Sequence, residues 1–206
     1  MLPLFLSAFV TLFLVIDPPG CAPIYAGLTA NASSRQAFVM ALRACLIATG
    51  ILVVFALFGE DILGALHIEL DSFRIAGGIM LFLIALDMVF EKRTERREER
   101  AEKVKSAQPH VEDVSVFPMA MPMLAGPGSI ASIMLLTARA RGTPETLVVL
   151  AALGSVMVLC FAALVAARPI IRVLGSQVEA VLTRLLGVLL AALAAQFVID
   201  GIQSQF

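Results

Sequence analysis

The sequence has little charge and few polar aromatic residues. It contains no tryptophan, one tyrosine and two histidines among 206 residues, and 15% of its residues are charged. Soluble domains carry about 25% charged residues, so the low share argues against a soluble globular domain. The formal net charge is −1, so no strong basic field favours a nucleic-acid partner.

Signatures of metal binding and catalysis are also missing. The three cysteines, Cys21, Cys45 and Cys160, lie far apart in apolar segments, so their spacing supports neither a disulfide framework nor a C-x-x-C site. We expect buried thiols without a chemical role. No H-E-x-x-H or G-x-S-x-G motif occurs, and neither Asp17 nor Asp87 has the G-x-G-D flank of an intramembrane aspartyl protease. The sequence therefore predicts no enzyme, no metal site and no cofactor.

Long hydrophobic runs fill most of the chain, and 60% of the residues are hydrophobic. A bilayer core needs about 20 apolar residues per helix. The first run lacks a basic leader and an A-x-A cleavage pattern, so we expect a retained helix and not a signal peptide. The sequence predicts an all-α membrane protein with six transmembrane helices, at about 2–29, 36–58, 68–90, 114–138, 145–167 and 181–202.

A charged segment at 91–113 interrupts the apolar pattern with seven basic and seven acidic side chains. We predict a solvated loop here. If it is cytoplasmic, ten basic residues lie on the cytoplasmic side (these seven with Arg35, Arg168 and Arg172) and two, Arg139 and Arg141, lie on the other side. The positive-inside rule then places loop 91–113 in the cytoplasm and both termini outside it.

An internal repeat relates residues 1–90 to residues 114–206. Pro19-Gly20 and Pro127-Gly128 are 108 residues apart, and the R-x-x-G sequence at 74–77 recurs at 184–187. Each half contains three predicted helices. Because three is an odd number, the two halves must cross the membrane in opposite directions. The sequence thus predicts two inverted three-helix repeats, with helices 1 and 4 broken at Pro-Gly motifs.

Broken helices at matching places in inverted repeats are typical of transporter sites. Backbone groups cannot stay unpaired in hydrocarbon, so a break inside the membrane must face protein, water or a ligand. We expect Pro23 in the first turn of the half-helix after the first break, and Ser129 as the cap of its counterpart. The predicted substrate-binding residues are Asp17, Pro18, Pro19, Gly20, Cys21, Ala125, Gly126, Pro127, Gly128 and Ser129. We expect the backbone N–H groups near Gly20 and Gly128 to receive a substrate carboxylate.

Five charged residues in the spans are candidates for ion coupling or gating. Asp17 could bind a proton, Na⁺ or an amino group, and a structural N-cap is a compatible second role. Arg74 and Arg184 stand near helix starts, where the helix dipole disfavours a cation, so each needs an acceptor. We predict the pairs Arg74–Asp200 and Arg184–Asp87, with separate snorkelling of each arginine to the lipid headgroups as the alternative.

Four segments carry a family resemblance: DPPGCAPIYAGLT at 17–29, RIAGGIMLFLIALDMVF at 74–90, MPMLAGPGSI at 121–130 and QFVIDGI at 196–202. With them the chain resembles the MarC family (UPF0056) of bacterial and archaeal inner-membrane proteins, which includes SnatA-type transporters of small neutral amino acids. The resemblance implies transport of glycine or alanine across the inner membrane. Cys21 stands where the family pattern D-P-x-G-N-x-P has asparagine, which removes an amide donor and acceptor.

Three function classes can be weighed on these grounds. A secondary transporter explains the paired breaks, with H⁺ or Na⁺ as the coupling ion. A channel needs a continuous polar path, and the last two predicted helices are almost purely alanine, leucine and valine, which packs helices closely and offers little to line a pore. A non-transporting scaffold is the third class. Assembly as a monomer or as a homo-oligomer is compatible with the sequence.

Overall fold

The structure is a computed structural model that describes residues 1–90, 99 and 113–204, with the backbone alone at 170–180. Most of the predicted charged loop 91–113 lies outside the described residues, as does the side chain of Arg172. The described part of the chain is helical and contains no strand.

Within residues 1–90 and 113–204, eight helical segments follow one another. They are α1 Leu2–Ile16, α2 Pro18–Leu28, α3 Ser34–Ala65, α4 Leu70–Val89, the π segment Ser115–Leu124, α5 Pro127–Ala138, α6 Thr143–Val165 and α7 Ala167–Gln203.

The helix ends follow from local chemistry. A capping box begins α3: the Ser33 hydroxyl accepts the Gln36 N–H, and the Gln36 side chain accepts the Ser33 N–H. The predicted span 36–58 is shorter than α3, because the helix continues past the apolar run through Glu60 and Asp61. A prediction based on the number of apolar residues needed to cross the bilayer identifies only the apolar part of such a helix.

The number of spans agrees with the sequence-based prediction. Among the residues that the structure describes, five stretches are long and apolar enough to cross a membrane, the first of them being Leu2–Leu28. A sixth span results if the π segment and α5, which are bent by 54° at their junction, form one crossing. Large apolar side chains also face outward, with Val158 66% and Leu185 59% exposed. Lipid is a favourable environment for such a surface, whereas water is not.

Most buried apolar side chains of the described residues belong to one of two clusters. The larger joins α1, α2, α3, the π segment, α5 and α6. The smaller joins α4 and α7 to one side of α1 and α5. It consists of Leu14, Val15, Leu81, Ala85, Met88, Leu135, Leu190, Ala194 and Phe197.

Glycine allows α4 and α7 to approach closely. A Cβ built on Gly78 would stand 2.9 Å from the Ala194 carbonyl oxygen, and one built on Gly187 would stand 3.1 Å from the Ala85 carbonyl oxygen. Small residues at a membrane-helix interface permit this backbone contact. Since the contacts run in opposite sequence order on the two helices, α4 and α7 are antiparallel.

Candidate functional site

The first helix break is centred on Asp17. This residue separates α1 from α2 and has the left-handed conformation φ 59°, ψ 65°. Aspartate tolerates that conformation because its short side chain can hydrogen-bond locally. The Asp17 Oδ1 accepts the Gly20 N–H at 3.1 Å, so Asp17 caps α2. Only 1% of Asp17 is exposed, so the break holds a carboxylate inside the first apolar stretch.

Gly20 lets this carboxylate lie directly on the first turn of α2. A Cβ built on Gly20 would stand 2.3 Å from Asp17 Oδ2 and 3.0 Å from Asp17 Oδ1. Any other residue would push the carboxylate away. Next to it, the buried Cys21 thiol donates to the Ile16 carbonyl at 3.5 Å and so contacts the last residue of α1.

The first turn of α2 has no amide donor to spare. Pro18 and Pro19 lack an N–H, the Gly20 N–H donates to the Asp17 carboxylate, and the Cys21 N–H donates to the Asp17 carbonyl at 3.1 Å. This differs from the expectation that the N–H groups near Gly20 receive a substrate carboxylate. The polar group at the first break is therefore the Asp17 carboxylate and not an amide donor.

Pro23 lies in the second turn of α2, not in its first turn as predicted, because the helix already begins at Pro18. A proline inside a helix removes the donor for the carbonyl four residues earlier. The Pro19 carbonyl therefore has no i→i−4 partner, and both prolines are half-buried. This carbonyl is a second acceptor close to Asp17 in sequence.

The second break follows the π segment. Pro118 and Pro122 interrupt the ordinary hydrogen-bond ladder, and the residues before them, Phe117 and Met121, have extended conformations. A residue before proline is driven to this region by steric contact with the proline ring. Wider i→i+5 bonds replace part of the ladder, such as the Ala125 N–H to Ala120 carbonyl bond at 2.9 Å. The chain then turns at Gly126 into α5.

Gly126 is needed for this turn. A Cβ built on it would stand 2.4 Å from the Pro122 carbonyl oxygen. Gly126 is the N-cap residue of α5, and no side chain caps this helix, so the predicted cap by Ser129 is wrong. Pro127 and Gly128 occupy the start of the first turn, which moves Ser129 past the capping position.

The N-terminus of α5 presents amide donors. The first N–H groups of a helix have no acceptor within the helix. Pro127 has no backbone N–H, so the donors are the N–H groups of Gly128 and Ser129, and both residues are buried. The helix dipole adds partial positive charge at the same place. The second break is therefore suited to an anionic group.

The two breaks lie against each other. A Cβ built on Gly128 would stand 3.4 Å from Val15 Cγ1, and Val15 precedes Asp17 by two residues. The same position would meet Ile84 Cδ1 at 2.5 Å and Leu81 Cδ2 at 3.6 Å. Val15 of α1 and Leu81 and Ile84 of α4 thus form an apolar wall beside Gly128, at the start of α5.

Charged side chains near the end of α7 pair differently from the prediction. Among the described residues, Asp200 is bound by Arg139 at 2.5 Å and by Gln196, and Arg74 is bound by Asp71 at 2.8 Å. The predicted Arg74–Asp200 pair is therefore wrong. Asp71, which lies three residues before Arg74 on the same helix, is the partner of Arg74 instead.

Arg139 was missed as a partner because it follows α5 and lies far from Asp200 in sequence. Its guanidinium carbon also stands 4.7 Å from the centre of the Phe197 ring. The end of α5 is thus held on α7. Arg184 and Asp87 each have a partner, and their mutual pairing stays a prediction.

Arg168 is a second contact that sequence reasoning did not assign. Its guanidinium donates to the carbonyls of Thr29 and Ala32, the latter at 2.8 Å. Both carbonyls follow the last residue of α2. Arginine near a helix C-terminus is a general signal for such a bond, but the partner helix could not be read from spacing.

Asp113, the last residue of the charged segment, contacts α3 and the start of the π segment. It accepts the Ser115 N–H at 3.0 Å and forms an ion pair with Arg43 at 2.7 Å. The adjacent Ser115 side chain and N–H, with the nearby Arg43, hold the pKa of Asp113 below its ordinary value.

The three cysteines are buried and free, as expected. No cluster of three or more metal-ligating side chains occurs in the part of the chain that the structure describes.

These features define the class: a multi-pass α-helical membrane protein. The chain belongs to the MarC family of integral membrane proteins, which it matches over residues 2–206. The family predicted from the four sequence segments is confirmed.

Relatives of similar length come from archaea and bacteria. A UPF0056 membrane protein of Archaeoglobus fulgidus is 35% identical over 202 residues, which cover 98% of this chain and 93% of the relative. YhcE, a UPF0056 membrane protein of Escherichia coli, is 31% identical over 204 residues, covering 99% and 94%. YvbG of Bacillus subtilis is 30% identical over 206 residues, covering 100% and 97%. No solved structure matches the chain.

Proposed function

We propose that the protein is a secondary transporter that moves small neutral amino acids, such as glycine and alanine, across the bacterial or archaeal cytoplasmic (inner) membrane by alternating access. The observation that carries the proposal is the contact between two helix breaks of opposite chemistry within an apolar bundle. The proposal includes no catalysed reaction and no cofactor.

A zwitterion fits this pair of breaks. Its ammonium group would lie at the Asp17 carboxylate, and its carboxylate would receive the N–H groups of Gly128 and Ser129 at the positive end of α5. The solute's two charges would then neutralise a site in which neither charge is tolerated alone. This arrangement refines the sequence-based prediction, because each break takes one end of the solute.

The site also favours a small, neutral side chain. Val15, Leu81 and Ile84 are the neighbours of Gly128, so the wall beside the proposed carboxylate position is apolar and closely packed. A charged side chain would lose its hydration there without gaining a partner. The side chains of glycine and alanine are both small and uncharged.

Coupling to H⁺ or Na⁺ would act through Asp17. A carboxylate at this depth costs about 2.5–3.5 kcal/mol on insertion scales, so a cation or proton that neutralises it is favoured.

Alternating access would follow from two inverted repeats, 1–90 and 114–206. What supports this part is the order of elements: a broken span, a long helix and a closing helix occur in each half. The antiparallel contact of the two closing helices, α4 and α7, agrees with opposite insertion. The excess of basic residues on one side favours loop 91–113 in the cytoplasm and both termini outside.

Counterflow in proteoliposomes tests the proposal. Vesicles loaded with unlabelled glycine should take up labelled glycine or alanine saturably, and Asp17→Asn should lower the initial rate at least about tenfold, as expected for loss of a charged hydrogen-bond partner. Asp61→Asn, at an exposed acid of α3, is the matched control and should transport normally. Uptake that rises linearly with concentration would indicate a channel, and no uptake would indicate a scaffold.

A further inference from the structure

A cavity of about 350 Å³ lies at the far end of α2 from Asp17, where α2, the start of α3 and the α6–α7 junction meet. Tyr25, Thr29 and Ser34 are among the residues that line it. Among the described residues that line it, Arg168 is the only charged one. We infer that this cavity is a second binding site, which receives the carboxylate of the small amino acid at the mouth of the transporter; the inference rests on the proposed function.

Arg168 closes the end of α2 in this structure. Its Nη2 donates to the carbonyls of Thr29 and Ala32, the first residues after the helix and its following turn. The buried Thr29 hydroxyl is already occupied, since it donates to the Tyr25 carbonyl at 2.8 Å. The guanidinium thus holds the C-terminal end of α2, and Asp17 caps the N-terminal end of the same helix.

A carboxylate would compete with these carbonyls. Hydrogen bonds between a guanidinium and a carboxylate are charge-assisted and frequently bidentate, so they are stronger than those to neutral carbonyls. A solute that takes the Arg168 guanidinium therefore releases the tip of α2. Because binding favours the released state, the equilibrium shifts toward an open half-helix. The count of basic residues assigns this mouth to the cytoplasmic side.

The size of the cavity suits a solute of few atoms. It lies near the lower end of small-molecule sites, which run from about 300 to 1,000 Å³. Phe38 and Val165 on its rim are 46% and 44% exposed. This apolar rim makes a phospholipid phosphate the rival ligand, and the test includes it.

Tyr25 supplies a native reporter. It is the only tyrosine, and the chain has no tryptophan, so tyrosine emission comes from the wall of this cavity alone. We would titrate the purified full chain with acetate, glycine and glycinamide at constant ionic strength. Acetate and glycine should change the emission saturably, whereas glycinamide, which has no carboxylate, should not.

Variants show which residues are needed for the change in tyrosine emission. Arg168→Gln should weaken acetate binding at least about tenfold. Arg35→Gln, a neighbouring arginine that lines a different cavity, should bind acetate as the wild type does. Asp17→Asn should keep the acetate response, which separates this cavity from the site at the breaks. If Arg168→Gln does not fold, Arg168→Lys keeps the charge, loses the planar fork and should bind acetate several-fold more weakly.

The outcomes separate this inference from the transport proposal. An Arg168-dependent acetate response in a protein without counterflow supports the cavity and refutes transport. Acetate binding that is equal in the wild type and in the Arg168 variants overturns the inference. So does a response to inorganic phosphate or short-chain phosphatidylglycerol with none to acetate, since the ligand group would then be a phosphate.

Discussion

Replacing Gly20 by alanine tests the geometry of the first break most sharply. The new Cβ would stand 2.3 Å from Asp17 Oδ2, well inside van der Waals contact, so the carboxylate must move by about 1 Å or more. The N-cap bond to the Gly20 N–H would then be lost, at a cost of about 0.5–2 kcal/mol. Alanine returns about 0.5–1 kcal/mol through its better helix propensity. We expect a net destabilisation of up to about 1.5 kcal/mol and a loss of glycine counterflow.

Gly27→Ala is the matched control for this experiment. Gly27 lies in the same helix, and a Cβ there has no neighbour within 4 Å. This variant should be as stable as the wild type or slightly more stable, with normal transport. Thermal unfolding and counterflow would be measured on both.

A double-mutant comparison isolates the cause. If Gly20→Ala acts by displacing the carboxylate, it should cost little more once Asp17 has been replaced by alanine, because the group in its way has gone. Equal costs in the two backgrounds, or transport by Gly20→Ala at the Gly27→Ala rate, would refute the reasoning.

Three further predictions concern the second break and the charged contacts. Gly126→Ala places a Cβ 2.4 Å from a backbone oxygen, so it should destabilise the protein by about 1–3 kcal/mol in thermal unfolding. Arg139→Asp and Asp200→Arg should each reduce counterflow, and the double swap should restore it; no recovery would argue against a functional pair. Asp113, with its lowered pKa, stabilises the fold fully above its ordinary pKa of 3.8, and this contribution is lost as pH falls through the folded-state value. Replacing Asp113 by asparagine should flatten the acid limb of a stability-against-pH curve, while an unchanged limb would assign the acid sensitivity elsewhere.

Much of the fold could be predicted from the sequence, because membrane helices leave a strong compositional signal. The number of spans and the family followed from apolar run length and a few motifs. The ends of α3 and α7 could not be predicted, because the parts of these helices that extend beyond the apolar run have no compositional signal.

The site was predictable only in part. Asp17 stood out as a carboxylate in an apolar run. The interruptions were predicted at the Pro-Gly motifs, but they fall just before them, at Asp17 and at Gly126, because proline starts the helix that follows. The different chemistry of the two breaks depends on where each helix begins: two prolines and the Asp17 cap use up the first turn of α2, whereas α5 keeps the amides of Gly128 and Ser129. Long-range partners such as Arg168 with Thr29 depend on packing, which spacing does not encode.

The proposed place of the solute carboxylate, on the amides that begin α5, can be measured directly by solid-state NMR. Glycine labelled with ¹³C at its carboxyl would be bound to protein grown with ¹⁵N-serine, and Ser129→Ala would remove the relevant nitrogen label while keeping the amide. The account predicts a carbon–nitrogen distance of about 4 Å or less, given a hydrogen bond of about 2.9 Å, and loss of the coupling in Ser129→Ala. Bound glycine with no such coupling, or a coupling that survives in Ser129→Ala, would contradict it.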